Sequence, residues 1–169
     1  MKMDPQGYID KMKPQDWGMV REIYQEGLET RNASFELEAP SWEEWDKKHH
    51  QECRLVYRDG DRILGWAALS PTSARWVYRG VAEVSIYIKE GEYRKGLGRR
   101  LLTALVECSE QKGFWTLQGG IFPENVASIK LHEECGFRLV GRREKVGKHF
   151  GAWRDTVILE RRSKKVGIE

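Results

Sequence analysis

The sequence predicts a mixed α/β (α+β) domain, with a largely antiparallel central sheet of about seven strands flanked by about four helices. Three observations lead there. Segments whose apolar residues recur every three to four positions alternate with segments of period two, so helices and strands share the chain. Asp59-Gly60-Asp61 stands between two strand-like runs, which joins them as an antiparallel hairpin. The last two strand-like runs, Phe137 to Lys145 and Trp153 to Leu159, complete the order β-α-α-β-β-β-α-β-α-β-β.

The elements follow in order. Tyr8 to Met12 is a short strand. Pro14-Gln15-Asp16 opens a helix whose apolar face is Trp17, Val20, Ile23, Tyr24 and Leu28. Glu29 to Pro40 is irregular. Ser41-Trp42-Glu43-Glu44 has the pattern of a capping box, with Ser41 as N-cap, and predicts a short helix to about Gln51. Leu55-Val56-Tyr57 and Ile63 to Leu69 form the hairpin. Val81 to Lys89 is a strand with Ala82, Val84, Ile86 and Ile88 on one face and Glu83, Ser85 and Tyr87 on the other. Leu97, Leu101, Leu105, Ser109 and Lys112 mark a helix ending at Gly113. Trp115 to Ile121 is a strand, and Pro123-Glu124-Asn125 opens a helix ending at Gly136. Phe137 to Lys145 and Trp153 to Leu159 close the sheet.

With 169 residues the chain suits one domain, with a core from about 8 to 161 and a short basic tail. No apolar run approaches a membrane span. Met1 to Asp10 is polar where a secretory leader is apolar. A cytoplasmic protein without membrane contact is expected. Cys53, Cys108 and Cys135 are widely spaced and odd in number; no pair has metal-ligand spacing, so isolated reduced thiols and no metal site are expected. The net charge of +3 suits an anionic small molecule, and the absence of a dense basic stripe argues against nucleic acid. Arg161-Arg162-Ser163-Lys164-Lys165 reads as a solvated end.

Chemistry concentrates in three places. Arg94-Lys95-Gly96-Leu97-Gly98-Arg99-Arg100 lies between a strand and a helix. Glycines let backbone approach a ligand, and the free N–H groups of a helix start favour an anion. The segment matches neither the nucleoside-triphosphate loop, which needs Gly-Lys before Ser or Thr, nor the dinucleotide fingerprint, since Leu101 stands where a third glycine belongs. Asn125, Ser128 and His132 share one helix face. Glu83 is a carboxylate within the strand that feeds the glycine segment, a candidate general base.

These residues, with several others, resemble the GCN5-related N-acetyltransferase (GNAT) superfamily, and within it the phosphinothricin and methionine sulfone (sulfoximine) acetyltransferase branch. The resemblance runs from about Tyr8 to Arg161. Tyr93-Arg94-Lys95-Gly96-Leu97-Gly98 is similar to the superfamily's Gln/Arg-x-x-Gly-x-Gly/Ala motif, departing from it at Tyr93. Asn125-x-x-Ser128 followed by Leu131 to Phe137 is similar to its second cofactor-facing segment. Ala33-Ser34-Phe35-Glu36 with Trp42 to Trp45, the Arg75 to Ile88 stretch, and Lys148-His149-Phe150-Gly151-Ala152-Trp153-Arg154-Asp155 resemble branch patterns.

The resemblance implies acetyl-coenzyme A as co-substrate. Its pantetheine arm would be held strand-like by Ile86, Tyr87 and Ile88, and its pyrophosphate by the backbone of Arg94, Lys95, Gly96, Leu97, Gly98 and Arg99. Asn125 and Ser128 would face its arm. It implies direct transfer to the primary amine of a small amino acid or analogue, with Glu83 as base, a backbone N–H near Ile86 or Tyr87 as oxyanion donor, and His132 (Tyr87 second) as acid towards the thiolate. Phe35, Arg75 and Tyr78 are the candidate substrate-binding residues; Arg75 and Arg79 are suited to a carboxylate. Relatives in the branch are commonly homodimers. The alternatives are another acceptor (a polyamine, an antibiotic amine, a protein N-terminus) or an acetyl-coenzyme A-binding regulatory module without turnover.

Overall fold

A computed structural model describes residues 6–169; the first five residues of the polar N-terminal stretch lie outside the described residues. The element order is β1 (Tyr8–Lys11), α1 (Trp17–Glu29), α2 (Trp42–Lys48), β2 (Leu55–Asp59), β3 (Arg62–Pro71), β4 (Val81–Ile88), α3 (Leu97–Gln111), β5 (Thr116–Ile121), α4 (Val126–Glu134), β6 (Arg138–His149) and β7 (Ala152–Arg162). The strands lie side by side as β1-β2-β3-β4-β5-β7-β6. Among the described residues only β4 and β5 pair parallel, because α3 carries the chain back between them.

Two cores cover the two faces of this sheet. Strand alternation sends Tyr57, Ala67, Ala82 and Val84 to one face, where Leu97, Leu101, Leu102 and Leu105 of α3 pack on them. Val56, Trp66 and Ala68 point to the other, where they meet Val20 and Ile23 of α1 and Trp45 of α2. Each fully buried Val, Leu or Ile side chain here contributes about 1.5–3 kcal/mol. The α1 entrance is pinned by charge. Arg58 on β2 donates to both oxygens of Asp16, at 3.1 and 2.9 Å, and to Asp10 at 2.9 Å.

Several expectations need correction. Pro14–Asp16 forms a separate 3-10 turn before α1. Ser41 does cap α2, accepting from Glu44 N at 3.3 Å. That helix stops at Lys48, where the His49 ring folds back on the Trp45 carbonyl at 2.7 Å. The cysteines are not all free: Cys53 and Cys108 are joined as a disulfide with Cα atoms 5.7 Å apart, and Cys135 remains a thiol. Spacing in sequence could not show this, because the 55-residue separation is closed only by packing α3 on β2. The tail is solvated at Arg162, Lys164 and Lys165, but it is tied down at Ser163. Arg161 and Arg162 end β7, and Ser163 is buried with its hydroxyl donating to Glu110 of α3 at 2.5 Å. No helix among the described residues is long and apolar enough to cross a membrane.

Candidate active site

The β4 and β5 strands separate after Glu83. Their pairing runs Val81↔Thr116, Ala82↔Leu117, Glu83↔Gln118 and ends. Beyond it β4 pairs only with β3, and Gly119 to Ile121 pair only with β7. A fork therefore opens in the middle of the sheet. Lys89 N donates to the Leu64 carbonyl at 2.8 Å, which fixes the phase of the β3–β4 ladder. Ser85 and Tyr87 turn their backbone groups to β3, and Ile86 and Ile88 turn theirs into the fork. Ile86 and Ile88 are thus open to the fork through their backbone N–H and C=O groups. Tyr87 is not: its ring lies between Trp66, at 5.0 Å, and Tyr24, at 4.8 Å, against Gly27 of α1. Burial pushes its phenol far above the usual range.

At the open end of the fork α3 begins. Gly96 is its N-cap at φ 81°, and Arg94 is also left-handed at φ 62°. The first backbone bond of the helix runs from Arg100 N to the Gly96 carbonyl at 3.1 Å. The N–H groups of Leu97, Gly98 and Arg99 precede it and have no acceptor among the described residues, which makes an anion cradle. Arg94 and Arg99 have no carboxylate partner among the described residues. Lys95 pairs with Glu92 at 2.7 Å. Arg100 turns away from the cradle and donates to the Tyr57 hydroxyl at 2.8 Å. Gly98 serves close packing, since a Cβ there would stand 3.1 Å from Leu131 of α4.

Glu83 sits at the apex of the fork, on the face opposite Ala82 and Val84. Burial raises its carboxyl above the ordinary range, and a side-chain hydrogen bond from Gln118 opposes this only in part. His132 lies across the sheet from it. The ring is 3% exposed, edge-on to Phe137 at 5.0 Å, with Nδ1 2.7 Å from the Ser128 carbonyl. That carbonyl can only accept, so Nδ1 carries the proton and Nε2 lies against Gly119 of β5, where a Cβ would meet it at 3.1 Å. Burial lowers the imidazole's pKa, the Ser128 bond resisting.

Asn125 is occupied. Its Oδ1 accepts from Ser128 N at 3.2 Å as the α4 N-cap, and its Nδ2 donates to the Asn32 carbonyl at 3.1 Å. The residue holds the 30–40 segment to α4. Phe35 of that segment packs edge-on to Phe122 at 4.9 Å and against Gly147 of β6. Tyr78 lines an open groove of about 580 Å³ with Gln118, Thr116, Val81 and Glu160, on the Glu83 side of the sheet. Arg75 is exposed, stacked over Tyr78 at 5.6 Å, and is not brought to Phe35.

Four residues of this site carried no role in the sequence reading. Gln118 becomes visible only once β5 is registered on β4. Asn32, His149 and Arg154 meet through the β6–β7 hairpin: Arg154 donates to the Arg31 carbonyl at 2.5 Å, to Asn32 Oδ1 at 3.4 Å and to Glu124 at 3.2 Å. The signature from Lys148 to Asp155 flagged two of them without saying what they touch.

A splayed β4–β5 pair with an anion cradle at the next helix start defines an acyl-coenzyme A-binding acyltransferase fold, and comparison with known proteins agrees. Residues 9–158 match the acetyltransferase (GNAT) domain family, and the chain belongs to it. The L-methionine sulfoximine/L-methionine sulfone acetyltransferase of Pseudomonas paraeruginosa is 35% identical over 98 residues, 58% of this chain and 57% of that enzyme, so the match spans little more than half of that relative's length. The phosphinothricin N-acetyltransferase of Alcaligenes faecalis is 32% identical over 161 residues, 89% of this chain and 79% of that one. The crystal structure of a GNAT superfamily phosphinothricin acetyltransferase from Sinorhizobium meliloti in complex with AcCoA superposes with a TM-score of 0.85 at 26% identity, covering 96% and 91% of the two chains.

Proposed function

We propose that the protein transfers an acetyl group from acetyl-coenzyme A to the primary amine of a small amino acid or analogue, of the phosphinothricin, methionine sulfone or methionine sulfoximine type. The observation that carries this reading is Glu83 at the apex of the fork. It is a carboxylate with a raised pKa, within reach of whatever threads between β4 and β5. The cofactor-side residues fit an acyl-coenzyme A: the α3 start offers three free N–H groups with Arg94 and Arg99 beside them, and Ile86 and Ile88 offer backbone partners for an amide-bearing arm. Glu83 takes the ammonium proton, directly or through water, and Ile86 N–H faces the carbonyl oxygen as charge develops on it. His132 in its imidazolium form returns a proton to the departing thiolate. Relatives that act on methionine sulfone, methionine sulfoximine and phosphinothricin support an amino-acid acceptor. The test is a panel of amines with acetyl-coenzyme A, following thiol release and the acetylated product by mass. Turnover with an amino-acid analogue above that with polyamines, aminoglycosides and peptide N-termini is expected. Preference for any of those three, or coenzyme binding without acetylation of any amine, overturns it.

A further inference from the structure

The β6–β7 hairpin carries a buried donor that the proposed chemistry does not use. His149 is 4% exposed. Its ring is enclosed by Phe122 at 5.7 Å, Phe150 at 4.5 Å and Phe35 at 5.8 Å. Arg154 Nη1 stands 3.3 Å from its Nδ1. A guanidinium only donates, so Nδ1 is the acceptor, the ring is neutral, and its proton is on Nε2. That Nε2–H is buried and has no hydrogen-bond partner among the described residues. A buried donor of this kind is destabilising unless something accepts from it.

The surroundings say what accepts. On β5, Leu117 and Ile121 face α3, so Gln118 and Gly120 face the Glu83 side, and Phe122 continues that alternation. Gly120 is exposed and leaves the floor open: a Cβ there would meet nothing nearer than Ile158 at 3.9 Å. Glu83, Gln118, Gly120 and Phe122 therefore lie along one sheet face, with the His149 ring packed on Phe122. Gln118 and Phe122 are about 13 Å apart along the strand, at ~3.3 Å per residue. Arg31, whose guanidinium lies 3.7 Å over Phe150, adds positive charge at the His149 end, while Arg154 is paired with Glu124.

We propose that His149 is a specificity-determining residue of the acceptor site, its Nε2–H donating to an oxygen of the acetylated amino acid while the amine lies at Glu83. The inference rests on the acetyl-transfer reading. Admitting the oxygen requires the half-exposed Phe150 to move off the His149 ring. The oxygen is an oxo group on the acceptor's side chain, because an α-carboxylate shares a carbon with the amine and cannot reach from Glu83 to His149; three acceptors test this: methionine sulfone (both oxygens), methionine (carboxylate only) and 3-(methylsulfonyl)propylamine (oxo only).

The experiment compares wild type, His149→Phe, which keeps an aromatic ring in an aromatic cage, and His149→Gln, which restores a donor. In His149→Phe the KM for methionine sulfone should rise about tenfold or more, with kcat and the acetyl-coenzyme A KM changed less than about twofold, and His149→Gln should recover most of the loss. The acceptor lacking the bound oxygen should no longer distinguish wild type from His149→Phe. Equal KM values in the two proteins for all three acceptors overturn the proposal and leave acetyl transfer intact. No turnover by wild type on any amine overturns acetyl transfer and this proposal with it. Should His149→Phe not fold, the ring N–H signal of His149 in wild-type protein is followed by ¹H–¹⁵N NMR: a downfield shift on adding acceptor is expected, and an unchanged signal at saturation overturns the proposal.

Discussion

Replacing Glu83 by Gln tests the centre of the proposed mechanism. The substitution preserves shape, and its carbonyl oxygen can still accept from the Gln118 amide that now holds the carboxylate. It removes a charge from a buried position, so the fold should be as stable as before or slightly more so. What it removes is the ability to take a proton. Loss of a general base costs on the order of 100-fold to 10,000-fold in rate, which is roughly 3–5 kcal/mol of barrier. The pH profile adds a second, independent signature. Burial raises the Glu83 carboxyl, so the base is formed only above the ordinary carboxylate range, and wild-type kcat/KM should climb with pH through that raised value. Thiol release from acetyl-coenzyme A, measured from pH 5 to 9 with one acceptor, reads both. A Glu83→Gln enzyme with kcat within about threefold of wild type and the same rising limb would refute the assignment, because a residue that moves no proton gives neither change.

Two further outcomes follow from the frame around the site. Gly96→Ala forces a side chain into the left-handed N-cap at φ 81°. It should lower Tm by roughly 2–8 °C, for about 1–2 kcal/mol of strain, and raise the acetyl-coenzyme A KM severalfold; an unchanged KM would remove the α3 start from the cofactor site. Arg58→Met leaves the carboxyl of Asp16 buried without its partner and should cost about 3–5 kcal/mol. Burial is the largest single influence and raises Asp16, but the Arg58 hydrogen bonds, the bond from Lys13 N and the charges of Arg58 and Lys13 together outweigh it and hold the carboxyl below the usual range. The pair's contribution is therefore complete above pH ~4, the unfolded value, and is lost as pH falls through the lower folded one. Thermal unfolding from pH 2 to 7 should show that acid-side loss in wild type and a flatter curve in the variant.

Local chemistry made the elements legible, and tertiary register hid the contacts. The β4 alternation of Ala82, Val84, Ile86 and Ile88 against Glu83, Ser85 and Tyr87 could be read directly, because a strand has only two faces. Which of those backbones enters the fork could not, since that depends on the Lys89–Leu64 bond and on β5 leaving β4 after Gln118. The Gly96 cradle was visible as a composition of glycines and cations. That Arg100 leaves it for Tyr57 depends on β2, which no spacing within the segment reports. Asn125 was visible as an N-cap, and its second bond to Asn32 was not, because the partner is 93 residues away. The disulfide failed to appear for the same reason: reduced thiols are the ordinary expectation for scattered cysteines, and only the packing of α3 on the sheet brings Cys53 to Cys108.

The two proton-handling groups of the proposed mechanism are not equivalent, and their difference has a measurable size. Glu83 and His132 lie on opposite faces of the sheet, connected only through the fork. Burial moves both towards their neutral forms, raising the carboxyl and lowering the imidazole. With Nδ1–H committed to the Ser128 carbonyl, His132 donates from Nε2 only after gaining a second proton, and the fraction that has gained it falls as pH rises through its lowered pKa. The amine side has no substitute for a base, since an ammonium ion does not attack. The thiolate side is less demanding: a thiol of pKa about 8.5 is a competent leaving group at neutral pH without full protonation in the transition state. His132→Asn, which can still donate to the Ser128 carbonyl, should therefore lower kcat less than Glu83→Gln does, by about tenfold against about 100-fold or more, with the deficit growing towards acid pH where the wild-type imidazolium is present. Equal losses in the two variants would mean that thiolate protonation limits the rate as strongly as amine deprotonation. No loss in His132→Asn at any pH would reduce His132 to a residue that packs α4 against Gly119.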